Sequence, residues 1–470
     1  MLFHSPEFIL LVLATLALYL AMPKARLAIL AVANALFYAV SGWEYLILFV
    51  AMTAITHYAA LQVDKPWARL ALWGAIVANL ANLFIFKYAG FVATNVARMA
   101  AIGIDPKLWH LILPAGISFY TFQHIAYVID VHRGDSPKAK SLVEFWVFLS
   151  FFAHLIAGPI MRGRDFLPQI QTIEERRVTV ERFRYGLYLF ALGMAKKVLV
   201  ADMLSPRTDN FFVGWAALNG MEAWIAGWLF AFQIYFDFSA YSEMALGIGY
   251  LFDFELTVNF KTPYLSPNPT EFWKRWHITL SSWIRDFIYI PLGGSRKGEG
   301  RAYLNLVLAM AISGLWHGAA WTFIAWGIFH GLLSAGHKLW VRYVVKPLPW
   351  WPKGWGMRWL SIFLMFQATT IGWIFFRADG MTSAMALIKK MFQPSSFQVT
   401  PLATKYLPII LVLAVLHWIE YALRARGEAV AEGWRRWVPT PLRALAYTAV
   451  GALLLIMTNI DQSTFIYFRF

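Results

Sequence analysis

The sequence has 470 residues, of which 59% are hydrophobic and only 14% are charged. Soluble proteins average roughly 45–50% apolar and about 25% charged residues, so a disordered chain, a coiled coil and an ordinary cytosolic enzyme are excluded. A polytopic membrane protein remains, because a bilayer solvates apolar surface that water would not. The 41 Lys+Arg against 26 Asp+Glu give a net charge of +15. Since these cations lie between apolar runs, we assign them to cytoplasmic loops and not to nucleic-acid binding.

Apolar segments of membrane-spanning length follow one another along most of the chain. A bilayer core of about 30 Å needs roughly 20 residues per helix. The first segment has no basic residue before it and has Lys24 and Arg26 after it, which indicates a retained helix with an extracytoplasmic N-terminus and not a signal peptide. The predicted spans lie near residues 8–22, 27–40, 44–61, 69–87, 143–157, 185–203, 222–250, 303–322, 322–341, 357–376, 405–422 and 443–459. Without an internal repeat or a linker, residues 1–470 are predicted to form a single integral-membrane domain.

Three stretches are too interrupted for plain spans. Residues 111–130 contain Pro114 and Gly116, which predict a broken or re-entrant helix. Residues 162–184 carry six arginines and predict a cytoplasmic loop. Residues 259–301 are polar and basic but keep bulky apolar positions. With the apolar segment that follows, they make residues 259–330 the candidate catalytic segment.

Helical spacing in this segment predicts one amphipathic helix that starts at Pro269 and Thr270 and ends before Gly293. One face would carry Trp273, Trp276, His277, Leu280, Ile284 and Phe287; Lys274, Ser281, Ser282 and Arg285 fall largely elsewhere. An interfacial helix with tryptophans at headgroup depth is the alternative. His277 differs from its neighbours, because burial on an apolar face would lower its pKa and favour the neutral imidazole.

A second candidate histidine, His317, follows Trp316 inside an apolar segment. Ionisable residues within a span are costly and indicate function, although a histidine bonded to a neighbouring helix is the alternative. His330 lies 13 residues further along. On a continuous helix it would lie about 20 Å away and point elsewhere, so we interpret it as structural.

The residue types favour acid–base chemistry over metal binding. The chain has no cysteine, which excludes disulfides, thiolate metal sites and a cysteine nucleophile. Two histidines are fewer than the three or four ligands of a zinc site, whereas a neutral imidazole can take a proton from an attacking hydroxyl. We therefore predict no metal site and no permanently bound cofactor.

Other polar residues have two interpretations each. The run Gly293–Gly298 lacks P-loop spacing, but Arg296 and Lys297 could hold the phosphates of a carrier; a cytoplasmic positive loop is the alternative. Asp286 beside Arg285 could position a substrate or form a local ion pair. Asp237 and Glu243 lie in an aromatic run, where structural hydrogen bonding is expected and tunnel lining is the alternative.

The order of these motifs resembles the membrane-bound O-acyltransferase family. Within it, the chain is similar to the bacterial branch of alginate O-acetyltransferase, peptidoglycan O-acetyltransferase and teichoic-acid D-alanyl transfer membrane subunits. The matching stretches are EFWKRWHITLSSWIRDFIYIPLGG (271–294), Asn305, GLWHGAAWTFIAWGIFHG (314–331), ILPAGISFYTFQHIAYVIDVHRG (112–134), HLIAGPIMR (154–162), QIYFDFSAYSEMALGIG (233–249) and FIYFRF (465–470).

The resemblance implies a fold and two site residues. The fold would be an all-α ring of about 11 transmembrane helices, with re-entrant and interfacial helices, around a central tunnel. His317 matches the family's essential histidine at the middle of that tunnel. His277 matches a second position, which is asparagine in many lipid-modifying relatives.

The resemblance also implies a reaction. Acetyl-CoA would enter from the cytoplasm, and the acetyl group would reach an extracytoplasmic polysaccharide hydroxyl through a periplasmic SGNH-type, esterase-like partner. The protein would lie in the bacterial inner membrane among its lipids. Further donor-binding candidates are Trp273, Trp276, Trp316, Lys274, Arg275, Arg285, Asp286, Asn305, Arg296 and Lys297. A transporter or flippase and a non-catalytic scaffold of a polysaccharide-secretion complex are the alternatives.

Overall fold

The computed structural model describes residues 3–100, 111–156, 158–348, 352, 354–457 and 465–466. Every regular element within these ranges is helical, so the predicted all-α class is confirmed. The chain divides into two compact units, Met1–Gly193 with Tyr241–Val258 and Met194–Ala240 with Asn259–Phe470.

The first unit begins with a run of apolar helices. Ser5 caps the first of them, because its Oγ accepts a hydrogen bond from the Phe8 N–H at 3.3 Å, and Pro6 suits the first turn. The helices of this unit are α1 (Pro6–Ala21), α2 (Arg26–Ala39), α3 (Trp43–Ala60), α4 (Ala68–Leu83), α5 (Ala89–Ala100), α6 (Ile117–Arg133), α7 (Leu142–Ser150), α8 (Phe152–Leu155), α9 (Gly163–Gln171) and most of α10 (Val180–Lys196).

Within the first unit, the break predicted around Pro114 and Gly116 is present. Helix α6 begins only at Ile117, and Gly116 has a φ of +71°. A Cβ at position 116 would lie 2.8 Å from the Leu155 carbonyl oxygen, so the turn requires glycine.

The span predicted at residues 143–157 is wrong. Helix α7 ends at Ser150, Phe151 is non-helical, and α8 has only four residues. Nine residues of α-helix rise only about 13 Å, which is too short for a bilayer core. The Asn34 side chain stabilises the break, because its Oδ1 accepts a hydrogen bond from the Phe152 N–H at 3.2 Å.

The second unit holds the candidate catalytic segment. Helix α12 (Gly220–Leu251) contributes residues 220–240 to this unit and residues 241–251 to the first. The other helices are α11 (Asp202–Val213), α13 (Pro269–Trp273), α14 (Ile278–Ile284), α15 (Glu299–His317), α16 (Trp321–Trp340), α17 (Trp355–Arg377), α18 (Met381–Phe392), α19 (Pro401–Trp437) and α20 (Thr440–Met457).

Glycines bring α15 and α16 into close contact. A Cβ at Gly314 would lie 2.1 Å from the Phe323 carbonyl oxygen, and one at Gly327 would lie 2.2 Å from that of Met310. Both distances are shorter than any real contact of a Cβ atom. Small residues at a helix interface let the backbones approach in this way. The hairpin therefore fixes the position of His317, where α15 ends.

We expect Gly314→Ala to destabilise the protein by about 1–3 kcal/mol, because backbone must move to admit the methyl group. Gly336→Ala is the matched control, since it lies on α16 with no heavy atom within 4 Å of the added Cβ. That control should be neutral or stabilising by up to about 1 kcal/mol. Thermal unfolding of both purified variants in detergent measures the difference, and equal melting temperatures would contradict the close packing.

Three helical stretches among the described residues are long and apolar enough to cross a bilayer: Ala68–Ala100, Trp355–Arg377 and Pro401–Arg424. The first continues from α4 through a π-helical turn into α5. Helix α1 is apolar but shorter. Together these helices are those of a membrane protein. The count of about 11 spans and the tunnel stay predictions.

Candidate active site

The single amphipathic helix predicted from Pro269 to before Gly293 is wrong. Helix α13 ends at Trp273, and α14 starts at Ile278. Between them, His277 adopts the left-handed conformation, with φ +41° and ψ 56°. This conformation costs roughly 1–2 kcal/mol for a residue with a Cβ, so the surrounding structure must hold it.

Hydrogen bonds from residues 259–261 explain the break. The Lys261 N–H donates to the Arg275 carbonyl at 2.9 Å, and the Ile278 N–H donates to the Asn259 carbonyl at 3.0 Å. The Asn259 Oδ1 also accepts from the Thr279 hydroxyl at 2.7 Å. These bonds replace the helical ones around His277 and fix its backbone.

The His277 imidazole is fully buried among aromatic rings. Its centroid lies 4.8 Å from that of Phe238, 6.1 Å from Trp316 and 6.4 Å from Phe260. His277 belongs to the 259–301 stretch, outside the predicted spans. Burial lowers its pKa from the ordinary value, so the ring is neutral at pH 7.

His317 lies at the end of α15 and is 4% exposed. Its ring centroid is 4.9 Å from Trp316, 5.0 Å from Trp326 and 5.1 Å from Phe376. The indole of Trp316 therefore contacts both imidazoles. The structure thus brings the two histidines into one aromatic cluster, although 40 positions separate them in the sequence.

His330 joins the same cluster, contrary to the reasoning that placed it far from His317. That reasoning assumed one continuous helix, but α15 ends at His317 and α16 runs back alongside it. Trp326 contacts both rings, with a centroid distance of 5.0 Å to each. His330 is fully buried and also packs against Trp273 at 5.2 Å. Sequence reasoning missed Trp326, because only the hairpin turn reveals its position.

The three predicted tryptophans all contact this cluster. Trp316 contacts both histidines, as described, and Trp273 contacts Trp326 at 5.8 Å. Trp276 is 1% exposed and packs against Phe260 and Trp373, at 5.1 and 4.8 Å. Trp276 thus packs against Phe260, which also contacts His277.

The predicted donor-binding cations lie towards the surface. Lys274, Arg285, Arg296 and Lys297 are exposed, and Arg275 is half-buried and paired with Glu271. The Arg285 Nε donates to the Asp286 Oδ1 at 2.7 Å. Of the two interpretations of Asp286, the local ion pair is therefore present.

Asn305 holds the loop that carries Arg296 and Lys297. Its side chain is fully buried, and its Nδ2 donates to the carbonyls of Leu292 at 3.2 Å and Gly294 at 3.1 Å. Gly293 and Gly294 have φ values of +111° and +53°, which favour glycine. Asn305 thus orders this turn, and the donor contact predicted for it stays a prediction.

A buried charge cluster that the sequence reasoning missed includes Asp237, the residue before Phe238, which contacts His277. The Lys197 Nζ is 2.8 Å from carboxylate oxygens of both Asp202 and Asp237. The second oxygen of Asp237 accepts a hydrogen bond from the Ile466 N–H at 2.8 Å. The structural hydrogen bonding expected of Asp237 is therefore confirmed. A signal was present, since Lys197 and Asp202 both fall within a predicted span.

A second polar network supports the 259–261 segment. The Glu420 carboxylate accepts hydrogen bonds from the Tyr235 hydroxyl at 2.7 Å and the Lys196 Nζ at 2.9 Å. Arg424 pairs with Glu420 and donates through its Nη1 to the Phe260 carbonyl at 2.8 Å. Helix α19 thereby anchors the residue that packs against both Trp276 and His277.

The arrangement places three imidazoles, those of His277, His317 and His330, in a buried aromatic environment. A neutral imidazole in such a place can accept a proton from a hydroxyl that attacks an acyl group. Among the residues that the structure describes, no group of three or more His, Asp or Glu side chains is placed to hold a metal ion.

Comparison with known proteins assigns the chain to a family. Residues 135–375 match the family described as MBOAT, membrane-bound O-acyltransferase. The chain is 36% identical to a probable alginate O-acetylase of Azotobacter vinelandii, over 100% of each chain. It is 32% identical to a peptidoglycan O-acetyltransferase of Helicobacter pylori, over 94% of this chain and 91% of the relative. It is 29% identical to a teichoic acid D-alanyltransferase of Streptococcus thermophilus, over 63% of this chain and 76% of the relative. The chain is therefore an O-acyltransferase and belongs to the membrane-bound O-acyltransferase family.

Proposed function

We propose that the enzyme moves an acetyl group from cytoplasmic acetyl-CoA to a hydroxyl of an extracytoplasmic polysaccharide. The contact of Trp316 with both buried imidazoles is the observation that carries this proposal. The names of the relatives, an alginate O-acetylase and a peptidoglycan O-acetyltransferase, support the acetyl group and the glycan acceptor.

In the proposed reaction, His317 is the general base. It accepts the proton of the acceptor hydroxyl while the hydroxyl oxygen attacks the carbonyl carbon of the thioester. The carbon–sulfur bond then breaks, and the proton passes from the imidazole to the sulfur of the leaving thiolate. The products are the ester and the free thiol, and the histidine returns to its neutral form. General-base assistance of this kind contributes about 10²–10⁴-fold.

His277 and the surrounding tryptophans have supporting roles in this proposal. The fixed backbone of His277 lets its ring orient or polarise the donor carbonyl. Trp273 and Trp316 exclude water, which would otherwise hydrolyse the thioester. The exposed cations Lys274, Arg285, Arg296 and Lys297, with Arg275, attract the anionic donor at the surface.

The proposal includes a membrane arrangement and a partner. The protein lies in the bacterial inner membrane with its N-terminus outside, and a ring of about 11 spans surrounds a tunnel in which donor and acceptor meet. A periplasmic SGNH-type, esterase-like protein hands the acetyl group to the polysaccharide. Lys24 and Arg26, which follow the first apolar segment, support the orientation, because such residues favour the cytoplasmic side.

The test uses the purified full chain in detergent with acetyl-labelled radioactive acetyl-CoA. We expect release of free CoA thiol that depends on an added hydroxyl acceptor, together with label in an ester product. In a second assay the protein is placed in sealed proteoliposomes. Uptake of intact labelled acetyl-CoA into them would contradict the proposal and indicate a transporter. Absence of both thiol release and uptake, in the presence of the candidate partner protein, would indicate a scaffold.

A further inference from the structure

A basic cavity lies at the C-terminal end of α16, and its lining includes neither His277 nor His317. It is a depression open to the surface, with a volume of about 270 Å³, and is lined by Thr270, His337, Lys338, Val341, Arg342 and Lys346. Because it does not enclose its contents, it suits a charged group that arrives from the surface better than a buried small molecule.

The charge of the cavity is positive even after its ion pair is counted. Lys338, Arg342 and Lys346 are exposed cations, and Arg342 pairs with Glu299 at the start of α15. After Glu299, the next acidic residue in the sequence is Asp379. Glu271, next to the lining residue Thr270, is paired with Arg275. Lys338, Arg342 and Lys346 against Glu299 leave a surplus of two positive charges, which favours an anion.

The position of the cavity indicates where that anion comes from. The predicted span 322–341 ends at this point, so the cavity lies at the expected depth of the lipid headgroups. Trp340 and Tyr343 flank it and are 47% and 63% exposed. Tryptophan and tyrosine are enriched at this depth, because each ring has an apolar body and a polar edge. Basic pockets beside spanning helices bind the headgroups of anionic lipids.

We propose that this cavity binds the headgroup phosphate of an anionic phospholipid. The phosphate would lie among Lys338, Arg342 and Lys346, and the acyl chains would follow the apolar surface of α16 into the bilayer. A soluble phosphate compound offers the same chemistry, and the test separates the two sources. The inference does not depend on the proposed reaction.

The test places the full chain in nanodiscs of phosphatidylcholine with one-fifth phosphatidylglycerol or cardiolipin. Native mass spectrometry then counts the lipids that stay bound after release. We expect the wild type to retain the anionic lipid preferentially. The variant K338Q/R342Q/K346Q should retain less anionic lipid by a factor on the order of ten or more, since each cation near the surface contributes to lipid binding. The control K389Q/K405Q/R435Q removes three exposed cations elsewhere in the same unit and should retain the wild-type amount.

Three results would overturn the proposal. The first is equal retention of anionic and zwitterionic lipid by the wild type, and the second is equal retention of anionic lipid by the wild type and the cavity variant. The third comes from adding CoA or inorganic phosphate to protein in uncharged detergent. If either compound raises the melting temperature of the wild type but not of the cavity variant, while anionic lipid does not, the cavity takes a soluble phosphate. Circular dichroism of the cavity variant checks that it keeps the helical content of the wild type, so that weaker lipid retention is not caused by unfolding.

Discussion

Replacement of His317 by alanine is expected to lower acetyl transfer by about 10²–10⁴-fold, because the variant lacks the group that accepts the hydroxyl proton. Purified wild type and His317→Ala would be compared by release of free CoA thiol and by label transferred to an acceptor. The aromatic rings around His317 pack against one another as well, since Trp326 and Phe376 lie 5.4 Å apart. The variant should therefore keep the wild-type elution profile in detergent.

The matched control is His132→Ala. His132 lies in the last turn of α6 in the first unit and is half-buried. Removal of its imidazole should leave transfer within about threefold of wild type, as expected of a change outside the aromatic cluster. Wild-type transfer by a folded His317→Ala protein would rule out His317 as the base. Equal loss in both variants would point to a general effect on folding.

The second large effect is expected at Lys197, whose side chain is fully buried between two carboxylates. Lys197→Met should destabilise the protein by about 3–5 kcal/mol, because Asp202 and Asp237 would be left as buried negative charges without a cation. Thermal unfolding in detergent measures the loss. Lys389→Met, an exposed position on α18, should change stability by no more than about 0.5 kcal/mol.

A compensating variant separates this charge effect from simple loss of packing. In Lys197→Met combined with Asp202→Asn and Asp237→Asn, no buried charge remains without a partner. We expect much of the lost melting temperature to return, because an ion cluster replaced as a whole costs far less than one that is broken. If the triple variant is no more stable than Lys197→Met, packing and not charge dominates at this site.

Local features of the fold and of the site were predictable from the sequence. The hydropathy pattern placed most of the helices, and Pro114 with Gly116 marked the break before α6. His277 and His317 were selected because an ionisable side chain in apolar surroundings is energetically costly and therefore indicates a functional site. These inferences use only residues close together in the chain.

The failures share a physical cause, which is contact between distant residues. Helix α7 stops where Asn34, 118 positions earlier, takes the Phe152 N–H. The amphipathic helix breaks where residues 259–261 bond to the backbone on both sides of His277. Lys197 meets Asp237 across 40 positions. Spacing along the chain carries no information about such pairs, so the cluster around Trp326 and the cluster around Lys197 were both missed.

The backbone at position 277 limits which amino acids evolution can place there. At a φ of +41°, a β-branched residue such as valine clashes with its own carbonyl, whereas histidine, asparagine and aspartate are enriched in this region. Histidine and asparagine are also the two residues that the family resemblance implies at this position. One main-chain geometry thus admits both kinds of side chain. A change of His277 to asparagine would therefore exchange a ring for an amide while the loop that presents it keeps its backbone.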